Sequence, residues 1–203
     1  FPYTTLFRSI KYPSILGSDG AGIVAGVGSD ADKKWLNKDV IINPCHNWGN
    51  NSEYQNRDFT ILGLPEDGTF AEYVKVTTEY LYPKAIHLSW EQAATLPLAG
   101  MTTYRALFTK GKAKKGDKVL ITGIGGGTGT FALQWAVAAG CQVFVTSGHG
   151  EKIERARQLG ACAGVNYKAQ DWAQELQHFS GRFVMIIDSA LGKDFDKLLD
   201  IAN

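Results

Sequence analysis

The chain changes its hydrophobic rhythm near residue 89. Before that point the apolar positions come in short runs. "GIVAGVG" (22–28) and "DVIINP" (39–44) are β-branched runs closed by Gly, Asp or Pro, and "TFAEYVKV" (69–76) alternates apolar with polar. This is the period of half-buried strands, and it predicts a compact, mostly antiparallel β-rich unit. Residues 43–67, "NPCHNWGNNSEYQNRDFTILGLPED", are polar and aperiodic. So long a connection inside a compact domain reads as a functional segment or a lobe of its own.

After Ser89 the period becomes helical and alternates with buried runs. "SWEQAATLPLAGMTTYRALF" (89–108) opens with a capping-box pattern, Ser89 with Gln92. Pro97 is expected to break this helix, with a second one starting near Met101. "DKVLITG" then reads as a strand, "TGTFALQWAVAAG" as a helix closed by Gly140, and "QVFVTS" as a strand. The helix "EKIERARQLG", the short strand "GVNY", the helix "QDWAQELQHFS", the strand "FVMIID" and the helix "GKDFDKLLDIA" follow. Strands alternating with helices predict βαβ units and a parallel sheet, so the fold class is α/β. "KVLITG" is expected in the centre, with "QVFVTS" beside it and "FVMIID" on the other side.

Composition narrows the partners. Lys and Arg total 21 against 20 Asp and Glu, which argues against nucleic acid or an anionic membrane as the main partner. No apolar stretch approaches the ~20 residues of a membrane span. Cys45, Cys141 and Cys162 are scattered and odd in number, so they read as reduced thiols of a cytoplasmic protein. The expected partner is a small-molecule substrate, and homo-oligomerisation of a full-length protein is kept open.

The chemistry concentrates in "VLITGIGGGTGTFALQWA" (119–136). Gly123, Gly126 and Gly129 fall three apart between a strand and a helix, with Gly125 and Gly127 among them. Such a turn lets backbone approach a ligand closely, and the free N–H groups of the next helix suit a pyrophosphate. Gly126, Gly127, Thr128 and Gly129 are the expected contacts. A glycine-rich β–α turn that binds nothing is the alternative, but strand, helix and next strand all lie where a dinucleotide site needs them. The end of the second strand bears on the cofactor. An acidic residue there would accept from a ribose 2′-hydroxyl and favour NAD. Ser147 and Gly148 stand there instead, with Lys152 one turn beyond, which favours NADP(H) over NAD(H). Lys152 taken alone is equally a solvated helix-face lysine, and Glu151 could pair with a ribose hydroxyl.

"ILGSDGAGIVAGVG", "GTFAEYVKV", "LSWEQAATLPLAGMTTYRALF" and "KVLITGIGGGTGTFALQWA", in this order, resemble the medium-chain dehydrogenase/reductase superfamily, in particular its zinc-type alcohol dehydrogenase-like and quinone oxidoreductase-like members. The resemblance runs from Tyr12 to about Lys197. It implies a GroES-like catalytic domain over residues 10–98, a Rossmann domain with a doubly wound sheet over 99–203, both partial, and an active site in the cleft between them. It further implies that Thr102 meets the nicotinamide end and that Tyr167 joins Ser147 and Lys152 around a 2′-phosphate. Ser189 and Ala190 would line the cofactor cleft.

At the family's zinc positions the chain departs from the pattern. Ser18 stands where zinc-dependent members carry a His, and Leu98 stands where another ligand, often Cys, falls. Neither is a usual zinc ligand, and the loop at 43–67 offers only Cys45 and His46, so no metal is expected. Hydride transfer from NADPH to a quinone, enal or enone needs no Lewis acid, only a hydrogen-bond donor to the carbonyl and a proton source. The alternatives are an enoyl reductase module of a larger synthase, an alcohol dehydrogenase-like enzyme, or a cofactor-binding structural protein of crystallin type. No catalytic side chain is assigned. Trp48, Tyr54 and Phe59 suit a substrate-pocket wall and a small satellite core equally.

The first nine residues, FPYTTLFRS, resemble nothing in the family and are what a common sequencing adapter encodes in frame. Residues 1–9 are therefore expected to be a cloning or assembly artefact forming an unpacked tail, with genuine sequence from near Ile10. The chain also stops inside the helix after "MIIDSALG". A fragment of this kind is expected to bind cofactor poorly and to be inactive by itself.

Overall fold

The computed structural model describes residues 13–189, 192 and 194–203. The expected tail at 1–9, the start near Ile10 and Ala190 lie outside the described residues. The chain divides into two compact units, Phe1–Leu98 and Ala99–Asn203.

In the first unit, β1 (Ala21–Ile23), β2 (Asp39–Ile42) and β5 (Leu81–Pro83) form an antiparallel sheet in the order β1-β2-β5. Gly22 lies opposite Val40, and Ile41 opposite Tyr82. Val40 and Ile42 are buried while Asp39 is exposed, the alternation that a half-covered strand demands. The segment 43–67 forms a small ribbon of its own, in which β3 (Cys45–His46) pairs antiparallel with β4 (Thr60–Ile61). Trp48 and Phe59 pack edge to face there, with ring centroids 5.3 Å apart, and Tyr54 is exposed. Two of the three aromatic residues thus contact each other as a satellite cluster.

The alternating segment 69–76 departs from the strand expectation. The Thr69 and Phe70 N–H groups donate to the Gly17 and Leu16 carbonyls, but from Ala71 to Val76 the segment joins no ladder among the described residues. Alternation specifies which side chains share a face; a strand also needs a neighbouring edge to bond. Phe70 and Tyr73 are each 79% exposed.

Helix α1 (Trp90–Thr95) starts with the capping box the sequence spells. The Gln92 N–H donates to the Ser89 hydroxyl at 3.2 Å, and the Ser89 N–H donates to Gln92 Oε1 at 3.1 Å. Such a cap contributes about 1 kcal/mol. Pro97, expected as a break, is not one. Helical backbone continues through a wide π turn, Leu96–Gly100, into α2 (Met101–Tyr104) and a second π turn, Arg105–Lys110. Wide turns relieve the clash between a proline ring and the preceding carbonyls. Side chains take carbonyls there: the Thr103 hydroxyl lies 2.9 Å from both Ala99 O and Gly100 O, and the Trp135 indole N–H donates to Gly100 O at 3.1 Å.

The second unit is built on a parallel sheet. β6 (Lys118–Ile121), β7 (Gln142–Ser147), β8 (Ala163–Asn166) and β9 (Met185–Ile187) lie in the order β8-β7-β6-β9. All three pairings are parallel, with "KVLI" flanked by "QVFVTS" and "MII" as the pattern predicts. Strand alternation creates two cores. Val119, Ile121, Val143 and Val145 face one layer with Ala132, Leu133 and Ala136 of α3 (Gly127–Ala138) and Ala156 of α4 (Gly150–Gln158). Leu120, Phe144 and Val165 face the other, against Trp172, Ala173 and Leu176 of α5 (Trp172–Ser180) and Leu198 of α6 (Phe195–Asp200). Each fully buried aliphatic side chain contributes roughly 1.5–3 kcal/mol, and a sheet covered on both faces reads as continuous apolar runs.

Candidate functional site

Chain order runs β6, β7, β8 in one direction from β6 and then returns to β9 on its other side. The crevice outside the carboxyl ends of β6 and β9 is therefore a topological switch point, where open α/β sheets take ligands. The Thr122 hydroxyl, just past β6, donates to the Asp188 carboxylate, just past β9. A cavity of about 280 Å³ opens here, lined by Thr122, Gly123, Thr146, Tyr167 and Asp188 among others.

The glycine turn runs along this edge. Gly123 has φ +61°, which favours glycine, and the Ile124 N–H is held by Thr146 O at 3.0 Å. Gly129 is buried, and a Cβ there would lie 3.2 Å from Gly123 O and 3.2 Å from Ile124 Cα, so helix and glycine turn pack this closely only without a side chain. Gly125, Gly126 and Gly127 are exposed, and a Cβ on Gly126 would meet nothing within 4 Å. Gly126 caps α3 in extended conformation, so Gly127, Thr128 and Gly129 form its first turn, whose N–H groups lack intrahelical partners. The result is an open, side-chain-free cradle at a helix N-terminus, whose partial positive charge suits a phosphate.

Beyond β7 the expected residues sort into two places. Ser147 is 3% exposed, and its hydroxyl accepts the His149 N–H at 3.2 Å, so it shapes the turn. A Cβ on Gly148 would lie 2.8 Å from Tyr167 Oη and 2.8 Å from Lys168 Cε. Gly148, Tyr167 and Lys168 thus form one cluster. Lys152 lies elsewhere: its Nζ is 2.8 Å from where a Gly125 Cβ would be, over the glycine turn. Lys168 was not among the residues singled out in the sequence. The only signal for it is a lysine directly after "GVNY", and nothing local says that β8 delivers it to Gly148. Thr102 is exposed on α2, one turn beyond Ala99, which is the nearest neighbour to a Cβ placed on Gly127 at 3.9 Å. Ser189 is exposed immediately after Asp188.

The zinc positions lie in the first unit. Ser18 and Leu98 are both half-buried and supply no soft donor. Cys45 and His46 are adjacent on β3, so their side chains leave opposite faces of the ribbon and cannot grip one ion together. His46 is stacked on Tyr80 at 4.0 Å with Nδ1 3.6 Å from the Glu66 carboxylate, and its Nε2 is buried without a hydrogen-bond partner among the described residues. Burial pushes the Cys45 thiol above its ordinary pKa, which weakens it as a thiolate ligand. Among the described residues no group of three or more His, Cys, Asp or Glu is placed to hold a metal. No helix of the described residues is long and apolar enough to cross a membrane.

The antiparallel unit and the glycine turn on a parallel sheet define a GroES-like domain joined to a Rossmann-type one. Comparison with known proteins agrees. Residues 3–86 match the alcohol dehydrogenase GroES-like domain family and residues 127–203 the zinc-binding dehydrogenase family. A zinc-type alcohol dehydrogenase-like protein of Schizosaccharomyces pombe is 38% identical over 167 residues, covering 81% of this chain and 48% of the relative. A quinone oxidoreductase of Pseudomonas aeruginosa is 30% identical over 196 residues, covering 94% of this chain and 54% of the relative. The crystal structure of an NAD-dependent alcohol dehydrogenase superposes with a TM-score of 0.87 at 31% identity, covering 95% of this chain and 59% of that one. The chain belongs to the medium-chain dehydrogenase/reductase superfamily, as a zinc-type alcohol dehydrogenase-like and quinone oxidoreductase-like member, and it spans about half the length of the curated relatives it matches.

Proposed function

We propose that the full-length protein is an NADPH-dependent oxidoreductase that reduces quinones or activated alkenes, enones and enals, without zinc. The observation that carries the reading is the open cradle of Gly126 and Gly127 at the N-terminus of α3, beside the switch point of the parallel sheet. The nicotinamide cofactor, when bound, supplies the hydride. The residues of this chain bind and orient it: Gly126, Gly127, Thr128 and Gly129 approach the pyrophosphate, Thr102 the nicotinamide end, and Ser189 the cleft.

The preference for NADPH rests on the cluster at Gly148. No carboxylate stands at the end of β7 to claim a ribose 2′-hydroxyl, and the Tyr167 hydroxyl and the Lys168 stem meet beside a residue without a side chain. An ammonium there balances a 2′-phosphate. Lys152 serves as a second cation from the glycine-turn side. The zinc-free reading rests on Ser18 and Leu98, whose side chains offer no metal ligand, and it directs the chemistry to substrates already activated for hydride addition.

The similarity to a quinone oxidoreductase supports this substrate class. The test is NADPH oxidation by the full-length protein with a simple quinone and with a linear enone, each with and without a chelator. Turnover with NADPH that a chelator leaves unchanged is the expected result. Alcohol-dependent reduction of NAD that a chelator abolishes would overturn the reading.

A further inference from the structure

The one-turn helix α2, which carries Thr102, stands between two wide π turns, Leu96–Gly100 before it and Arg105–Lys110 after it. Such turns are rare and are frequent at functional sites. So short a helix has too few internal hydrogen bonds to fix its own place, and tertiary contacts must do it. Those contacts come from α3. Ala99 lies against the first turn of α3, where a Cβ on Gly127 would meet its side chain at 3.9 Å. Trp135, two turns further along α3, donates its indole N–H to Gly100 O at 3.1 Å. Helical side chains lean toward the N-terminus of their helix, so an indole at this position reaches back toward the glycine turn. The Thr103 hydroxyl lies 2.9 Å from the same carbonyl, and the Tyr104 ring meets the Trp135 ring edge to face with centroids 5.9 Å apart.

Apolar packing alone lets one helix slide on another, whereas an N–H···O bond fixes distance and direction. The Trp135 bond therefore sets the register of α2 on α3. The N-terminus of α3 is the phosphate cradle, and Thr102 is exposed on α2, two residues past the bonded carbonyl. We propose that Trp135 is a positioning residue for hydride transfer: its indole N–H, through Gly100 O, sets where α2 presents Thr102 relative to the cradle. The inference rests on the approach of Thr102 to the nicotinamide end proposed above and adds the residue that holds it there. The proposed phosphate contacts lie on the glycine turn and beyond β7, away from α2, so a displaced α2 costs rate rather than affinity.

The test uses the full-length protein and reads the single-turnover rate of NADPH oxidation by a simple quinone or a linear enone, together with the Kd for NADPH. Trp135→Phe keeps a ring to pack on Tyr104 and removes the donor. A neutral hydrogen bond corresponds to roughly a 2- to 12-fold change in a rate constant. Trp135→Phe is expected to slow the single turnover by about that factor and to leave the Kd for NADPH near the wild-type value. In a Thr102→Ala background the same substitution is expected to slow the reaction no further, because the bond acts through Thr102. A merely structural role would slow both backgrounds equally or neither. In ¹⁵N-labelled wild-type protein the Trp135 indole proton is expected to exchange with solvent more slowly once NADPH is bound, and this readout decides the matter if the variant does not fold. An unchanged rate in folded Trp135→Phe, an equal loss in both backgrounds, a loss of affinity without a loss of rate, or indole exchange that NADPH leaves unaltered overturns the assignment of Trp135. Full activity in Thr102→Ala, or a wild-type protein that oxidises NADPH with neither quinone nor enone, instead overturns the reading beneath it.

Discussion

The Thr122 hydroxyl donates to the Asp188 carboxylate, and with the Thr122 N–H, which donates to Ile187 O at 3.0 Å, this bond ties the carboxyl ends of β6 and β9 together across the switch point. Thr122 is 6% exposed, so water cannot easily replace its side of the bond. A hydrogen bond to a charged partner contributes about 1.5–3 kcal/mol. Thr122→Val is expected to destabilise the protein by roughly that amount in urea unfolding, and Thr122→Ser to restore most of it. Equal losses in both variants would mean that the threonine methyl, not the hydroxyl, is what matters.

Two glycines three residues apart are expected to fail differently. Gly129→Ala places a methyl 3.2 Å from the Gly123 and Ile124 backbone of the glycine turn, which cannot give way by a rotamer change. Overpacking of this kind costs about 1–3 kcal/mol, read as a lower unfolding midpoint. Gly126→Ala meets open space and loses at most about 1 kcal/mol as a cap, but its methyl intrudes where a pyrophosphate would approach. Calorimetric titration of NADPH into Gly126→Ala should show the larger loss of affinity per unit of lost stability. The reverse order would remove the cradle from the cofactor site.

The two lysines near the turn after β7 separate by cofactor. Lys168 stands with Tyr167 at Gly148, so Lys168→Ala is expected to weaken NADPH by about 10- to 150-fold and NADH little. Lys152→Ala is expected to weaken NADPH more than NADH as well. Equal losses for Lys152→Ala would instead assign it to the pyrophosphate that both cofactors share, next to Gly125 over which it lies.

Thiol chemistry gives a test independent of any cofactor. Burial raises the Cys45 thiol pKa, and burial together with the nearby Asp117 carboxylate raises that of Cys141, whose Sγ donates to Lys114 O at 3.3 Å. Both therefore hold their protons more tightly in the folded state than in the unfolded chain. Their contribution favours folding below the unfolded-state pKa and is lost as pH rises through the higher native one. Cys162 is exposed. One fast-reacting thiol per native chain is expected with a disulfide reagent at neutral pH, and three in denaturant. Two fast thiols in the native protein would show that Cys45 or Cys141 is open to solvent.

The second unit was legible in the sequence because its signals are local. The runs "KVLI", "QVFVTS" and "MII" each fill both faces of their strand with apolar side chains, and a chain that alternates such runs with helices has few ways to wind. The Ser89–Gln92 capping box lies within one turn, and the glycine turn is read from three residues spaced along a single connection. None of these depends on a distant part of the chain.

What only the tertiary structure decided is, in each case, a contact between distant segments. "TFAEYVKV" has the alternation of a strand, but a strand forms only against a partner edge, and beyond Phe70 the described residues present none. Pro97 carries the ordinary mark of a helix end, yet the backbone widens there into the π turn Leu96–Gly100, at whose end the Trp135 indole of α3 donates to Gly100 O, and the helical path continues. Lys168 comes to Gly148, and Lys152 to Gly125, because the parallel register sets β8 beside β7 and α4 beside the glycine turn. Trp172 reads in the sequence as one more apolar position on a helix; that its indole N–H is buried without a partner among the described residues depends on residues up to 50 positions away, such as Thr122. Periodicity and capping act over a few residues and are written in the sequence, whereas packing and hydrogen-bond completion depend on which distant segments the fold brings together.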